Sequence, residues 1–186
     1  EETFGQVITI EGRYWQASTA ERVLQNKAGA QNMTWKDDPV LSGPYDTYLD
    51  VGAHWVDVVS FIYGSNPEEI VGWRSYIGAN SPHRDSHVQI GIEYPKGRHA
   101  FSSISKIFHG ATNHFELNII GSKRTATWNF LRSDEIEMGE GRDRRIVTRK
   151  DTAFGSKQPP HHGLGWLEGY IDIISSLIDE VTYGKA

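Results

Sequence analysis

The clearest periodicity in the chain is the alternation in "SHVQIGIEY". Val88, Ile90, Ile92 and Tyr94 fall on one side, with His87, Gln89 and Glu93 on the other. A period of two over this length predicts a strand with one buried face. "PKGR" at 95–98 is a hairpin signal, and "HAFSSISKIF" continues as the partner strand. "HFELNIIG" alternates Phe115, Leu117 and Ile119 against Glu116 and Asn118, and "RTATWNF" alternates Ala126, Trp128 and Phe130. "DEIEMGEGRDRRIVTRKD" reads as a further hairpin, and "VITIEGRYWQA" at 7–17, rich in β-branched and aromatic residues, as the first strand.

Elsewhere the period lengthens to that of a helix. From 46 to 63 the chain predicts a helix, with Asp46 or Thr47 as N-cap and Gly64 as the C-terminal stop. In "GLGWLEGYIDIISSLIDEV", Leu167, Tyr170, Ile171, Ile174, Leu177, Ile178 and Val181 keep the spacing of an amphipathic helix. Between the first strand and residue 48 the chain is polar and rich in turn residues, with one short helix predicted near 19–27. Connections of that length in a compact domain are usually functional or disordered. The order of elements predicts an α+β fold: a largely antiparallel open sheet with helices on one face.

Composition narrows the function more than the fold. The 186 residues are 38% hydrophobic and 23% charged, enough for one domain with a core. The net charge of −5 lacks the basic footprint expected of a nucleic-acid binder. No apolar run approaches the roughly 18 residues that suggest a membrane helix, so no membrane association is expected. "EETFGQVITIEG" shows no signal-peptide pattern. The absence of cysteine excludes disulfides, thiol nucleophiles and thiolate metal sites.

The predicted helix at 46–63 carries the first candidate chemistry. At about 100° per residue, Asp50, His54 and Asp57 fall within roughly 60° of one another. Leu49, Ala53, Val56 and Val59 flank them on one side, and Val51, Trp55, Val58 and Ile62 on the other. Such a helix is expected to be largely buried, with a narrow polar stripe that pairs internally or lines a cavity. Asp50 and His54 are neighbours at i, i+4. A carboxylate favours the imidazolium while burial opposes it, which suits a general acid or base. A structural ion pair is the alternative.

Two other clusters and one tryptophan invite a functional reading. "SPHRDSH" would place His83, Asp85 and His87 on one strand face, and with His161 and His162 they could ligate zinc or manganese. No fixed metal-binding spacing accompanies them, so no metal is assigned and a polar loop is expected. Arg142, Arg144, Arg145, Arg149 and Lys150 are interrupted by acidic residues, the pattern of a solvated hairpin. No Gly-x-Gly-x-x-Gly or Gly-Lys-Ser/Thr loop occurs. Trp35, in the polar connection, could stack on a ring or simply anchor the loop.

"LDVGAHWVDVVSFIYGSNPEEIVG" resembles a signature of the Gfo/Idh/MocA family of oxidoreductases, whose C-terminal domain carries Asp-x-Gly-x-His, a hydrophobic segment ending in Gly, then a strand. "VITIEGRYWQ", "TWKDDP", "NIIGSKRTATW" and "WLEGYIDIISSLIDEV" resemble further segments of that domain, so the resemblance extends over most of the chain. It implies a dihydrodipicolinate reductase-like or glyceraldehyde-3-phosphate dehydrogenase-like C-terminal fold, in a cytoplasmic protein. By the same resemblance His54 relays a proton to the substrate hydroxyl and Asp50 binds the substrate. Trp35 and Lys36 line the pocket near the nicotinamide of NAD or NADP, with hydride chemistry supplied by the cofactor. The implied substrate is a sugar, inositol or related polyol, and a homo-dimer or tetramer through the sheet face is expected.

The chain also departs from the family pattern. "SGPYDTYLD" stands where a glycine run often precedes the Asp. "HHGLGWLEG" places Trp166 where a family histidine falls, leaving His162 nearby as the substrate-side imidazole. The family's N-terminal Rossmann domain, with its glycine turn and its Glu-Lys-Pro lysine, has no counterpart in these residues. Residues 1–186 are therefore expected to be one C-terminal substrate-binding and oligomerisation domain, silent without the dinucleotide-binding half that holds most of the cofactor. The alternatives are a ligand-sensing or interaction module of the same fold and a metal-dependent hydrolase or lyase.

Overall fold

A computed structural model describes residues 3–21, 38–43, 46–77, 84–148 and 166–184. Its elements are β1 (Val7–Trp15), α1 (Pro39–Ser42), a π-helical turn (Tyr48–Gly52) running into α2 (Ala53–Tyr63), β2 (Glu69–Ser75), β3 (His87–Tyr94), β4 (Arg98–Ser105), β5 (His114–Gly121), β6 (Thr125–Asn129), β7 (Glu135–Glu140), β8 (Asp143–Thr148) and α3 (Trp166–Tyr183). The described strands form one sheet in the order β2-β3-β4-β1-β5-β6-β7-β8. β1 pairs with β4 in parallel, through pairs such as Ile10 with Ala100, and every other pairing is antiparallel. The open, largely antiparallel α+β sheet expected from the alternation is the one observed.

The period-two pattern sorts the sheet into two faces. Val88, Ile90, Ile92 and Tyr94 are buried under α2, together with Ile10, Ala100, Ile104, Phe115 and Leu117. The opposite face is open, and Trp73 and Phe101 are 73% and 50% exposed there. The β3–β4 hairpin turns at Lys96 and Gly97, with φ of 69° and 66°. Positive φ at both central residues matches the right-handed twist of paired strands.

α2 packs on the covered face through Trp55, Val59 and Tyr63, and ends where expected, with Gly64 left-handed at φ 61°. The expectation of a helix buried on both flanks is corrected. Ala53, His54, Asp57 and Phe61 are exposed, and Phe61 is 85% so. The apolar residues are numerous enough to suggest burial all round, yet Val51, Trp55, Val59 and Tyr63 are buried while Val56, Val58 and Ile62 pack only partly against the core. α3 is amphipathic as expected, and Tyr170, Ile174, Leu177 and Ile178 on its apolar stripe are exposed. Residues 20 and 21 are helical, and the rest of the helix expected near 19–27 lies outside the described residues.

One glycine sets the approach of helix to sheet. A Cβ at Gly12, mid-β1, would lie 2.1 Å from the Glu116 carbonyl oxygen on β5 and 2.7 Å from Trp55 Nε1 on α2. Both the strand spacing and the seat of the fully buried Trp55 depend on its absence. Gly12→Ala is expected to destabilise the fold by about 1–3 kcal/mol through overpacking, measured by urea unfolding. A curve superimposing on that of the parent chain contradicts this packing.

Candidate functional site

The start of the helix is held by a residue from another element. Asp85, fully buried just before β3, accepts hydrogen bonds from the backbone N–H of Asp46 (2.8 Å) and of Tyr48 (2.8 Å). The Thr47 hydroxyl donates to the Asp85 carbonyl at 3.0 Å. Thr47 takes the N-cap position, as expected, but its side chain makes no capping hydrogen bond, and the Asp85 carboxylate serves in its place. A carboxylate here satisfies orphan N–H donors and meets the positive end of the helix. The same bonds correct the idea that Asp85 and His87 share a strand face toward a metal: Asp85 precedes β3 and its carboxylate serves the helix. Among the described residues no three His, Asp or Glu side chains form a metal-holding group. His83, His161 and His162 lie outside the described residues.

Beneath this cap sits a lysine that sequence reasoning missed. Lys106, immediately after β4, is 5% exposed, and its ammonium donates to Asp46 Oδ1 at 2.7 Å and to Asp50 Oδ2 at 2.8 Å. Arg84, also buried, approaches Asp46 at 3.4 Å. Three carboxylates and two cations thus share one corner, and each ion pairs or hydrogen-bonds there. Pairing is what makes such burial tolerable. The sequence signal for Lys106 is faint: the strand alternation that puts Ser102 and Ile104 inward also puts Lys106 inward.

The stripe read from ideal helical angles therefore divides. Across the π-turn the Ala53 N–H bonds back to the Tyr48 carbonyl, one residue further than in an α-helix. Asp50 turns toward the sheet and Lys106, with its side chain 29% exposed. His54, one turn on, is exposed beside the Tyr14 ring, at 6.4 Å between centroids. Asp57 is exposed and pairs with no described residue. Single-turn π-bulges inside helices are frequent at functional sites.

Tyr14 completes the corner from β1. Its ring packs edge-on to Phe115 at 5.0 Å, and its hydroxyl accepts from Gln16 Nε2 at 3.4 Å. Gln16 also donates to Asn113 Oδ1 at 2.9 Å. Burial pushes the Tyr14 phenol above its usual range. Hydrogen bonds from Gln16 and Asn113 oppose the shift, and the nearby charge of Asp50 adds to it. Asp50, His54, Tyr14, Gln16, Asn113 and Lys106 thus come from a helix start and three strand ends. Asp50 lies in the π-turn and turns to Lys106, and His54 lies in the first turn of α2. Trp35, Lys36 and His162 lie outside the described residues.

A family model described as the GFO/IDH/MocA C-terminal domain matches residues 1–127. No curated protein matches the chain. Among solved structures of similar shape is an inositol dehydrogenase homologue from Azotobacter vinelandii complexed with NAD+ (TM-score 0.76, 16% identity, 90% of this chain and 44% of that one). A levoglucosan dehydrogenase in complex with NADH and levoglucosan gives a TM-score of 0.78 at 19% identity, over 96% of this chain and 50% of that one. An oxidoreductase domain protein from Kribbella flavida gives 0.78 at 19% identity, over 99% and 51%. At these identities the likeness is one of fold, and the chain spans about half the length of the structures it matches.

The cap has an energetic consequence. Asp85→Ala leaves two N–H groups of the helix start without their acceptor, and is expected to lower stability by about 2 kcal/mol. Thermal or urea unfolding measures it. A loss below roughly 0.5 kcal/mol contradicts the assigned capping role.

Proposed function

This chain belongs to the GFO/IDH/MocA family as a C-terminal domain, and from that premise we propose that it forms the substrate side of an NAD(P)-dependent oxidoreductase acting on a hydroxyl or carbonyl of a sugar, inositol or related polyol. The observation that carries the reading is the exposed His54 beside the Tyr14 ring, one turn after Asp50 in the π-turn. The names of similar folds, levoglucosan dehydrogenase and an inositol dehydrogenase homologue, support the substrate class.

The chain has no glycine-rich dinucleotide turn, so the cofactor is assigned mainly to a second, Rossmann-type domain, with Trp35 and Lys36 as its contacts from this side. When bound, the nicotinamide supplies the two-electron acceptor or donor. On this chain's side, His54 takes the hydroxyl proton as a carbinol becomes a carbonyl, and returns it in the reverse direction. Asp50, fixed by Lys106, orients the reacting hydroxyl toward the imidazole. Tyr14 and His162 offer further polar contacts to neighbouring hydroxyls.

His54→Ala in the full-length protein is expected to lower turnover of its polyol with NAD(P) by about 10²–10⁴-fold, the usual worth of a general acid–base group. Undiminished turnover contradicts the assignment, and ligand binding without any turnover in the parent protein points to a sensing module instead.

The open sheet face is assigned to self-association. Trp73, Val71 and Phe101 are exposed beside Arg13 and Glu116, which pair at 2.8 Å, and a recess of ≈ 530 Å³ lies among them. This recess lies on the side of the sheet away from His54. Apolar area of this kind favours a closed, symmetric assembly. Light scattering on a sizing column is expected to give a multiple of the single-chain mass at micromolar concentration, and a monomeric mass counts against it.

A further inference from the structure

We propose that Lys106 is a positioning residue of the active site: its ammonium clamps the Asp50 carboxylate in the orientation that the reacting hydroxyl requires. The proposal rests on the dehydrogenase reading above and adds to it a residue that the Asp-x-Gly-x-His pattern does not contain.

Asp50 sits in a π-helical turn, an arrangement frequent at functional sites. What fixes it comes from the sheet. Lys106 follows β4, an interior strand flanked by β1 and β3. The lysine's own backbone is tied on both sides. Its carbonyl accepts from the Thr19 N–H at 3.0 Å and from the Thr19 hydroxyl at 3.2 Å. Its N–H donates to the Ser86 carbonyl at 3.4 Å. A long, flexible side chain is thereby anchored at its root, and its head is anchored by Asp46, which is 3% exposed. Only then does the ammonium reach Asp50 Oδ2, whose side chain is 29% exposed. The gradient matters. The Asp46 end of the clamp is buried, and the Asp50 end opens toward the corner that holds His54 and Tyr14.

A buried lysine whose task was fold stability alone would be served by the buried Asp46 without reaching a partly exposed carboxylate. Reaching it gives Asp50 a fixed orientation with one oxygen committed to the ammonium. Groups that orient substrate act through such supports, and misplacement of about 1 Å can cost roughly 100-fold in rate.

The test uses the full-length protein that carries this chain, with NAD+ and either levoglucosan or myo-inositol as probe. Lys106→Met is expected to lower kcat about 100-fold while leaving the KM for NAD+ within about twofold. Lys106→Arg, which keeps the cation on a longer fork, is expected to recover to within about tenfold of the parent protein. The decisive readout is a double-mutant cycle. Lys106→Met combined with Asp50→Asn should turn over no more slowly than Asp50→Asn alone, because the lysine acts through that carboxylate. A merely structural lysine gives losses that multiply, and that result overturns the proposal. So does a Lys106→Met protein with turnover within about twofold of the parent. If the methionine variant does not fold, the same cycle is decided with Lys106→Arg. Its smaller loss must be present with Asp50 and vanish in the Asp50→Asn background. Collapse of turnover in His54→Ala and Asp50→Asn beside an unaffected Lys106→Met sinks this inference alone. A parent protein inert toward both polyols overturns the dehydrogenase reading and this assignment with it.

Discussion

One ammonium group ties the sheet to the helix start. Lys106 donates to Asp46 and Asp50 at 2.7 and 2.8 Å from a position almost closed to solvent. Removing ions from water costs several kcal/mol each unless they pair well. The chain therefore has little freedom in where the turn at 46–52 can lie. It must bring both carboxylates to the end of β4, and Asp85 must at the same moment reach the N–H groups of Asp46 and Tyr48. Charge pairing, helix capping and a π-turn are consequences of one spatial requirement. That requirement also decides which side chains remain outside: with Asp50 turned to the sheet and Trp55 seated over Gly12, His54 faces solvent.

Much of this was legible in the chain. Alternation placed β3, β5 and β6 and sorted Val88, Ile90, Ile92 and Tyr94 to the covered face, because strand side chains alternate whatever the tertiary context. Composition and hairpin signals placed β1, β4, β7 and β8. The hairpin at 95–98 and the stop at Gly64 were local signals with local causes. What failed were the steps that assumed one uniform helix. Ideal angles grouped Asp50, His54 and Asp57 into a stripe, but the π-turn shifts the register between the first two and tertiary pairing claims only Asp50. Nor could spacing reveal the cap, since Asp85 lies 39 residues from Asp46 in sequence. Lys106 was hidden for the same reason: its partners are 60 and 56 residues away.

The two faces of the sheet differ in what they carry. The covered face carries the core and, at its edge, the polar corner of Asp50, His54 and Tyr14. The open face carries a cross-strand ladder in which Glu116 accepts from Arg13 and from Asn129, beside the stacked rings of Trp15 and Phe108 at 4.2 Å. A site built on strand ends and a helix start, as proposed here, inherits the stiffness of those elements. Lys106 and Asp85 give the polar corner its geometry.

The most direct measurement is a crystal structure of the full-length protein with NADH and a bound polyol. The account predicts one hydroxyl within about 3 Å of both a His54 ring nitrogen and the Asp50 carboxylate, with Lys106 still holding Asp50. A polyol seated away from His54, or a binding mode in which Asp50 has swung off Lys106, contradicts it.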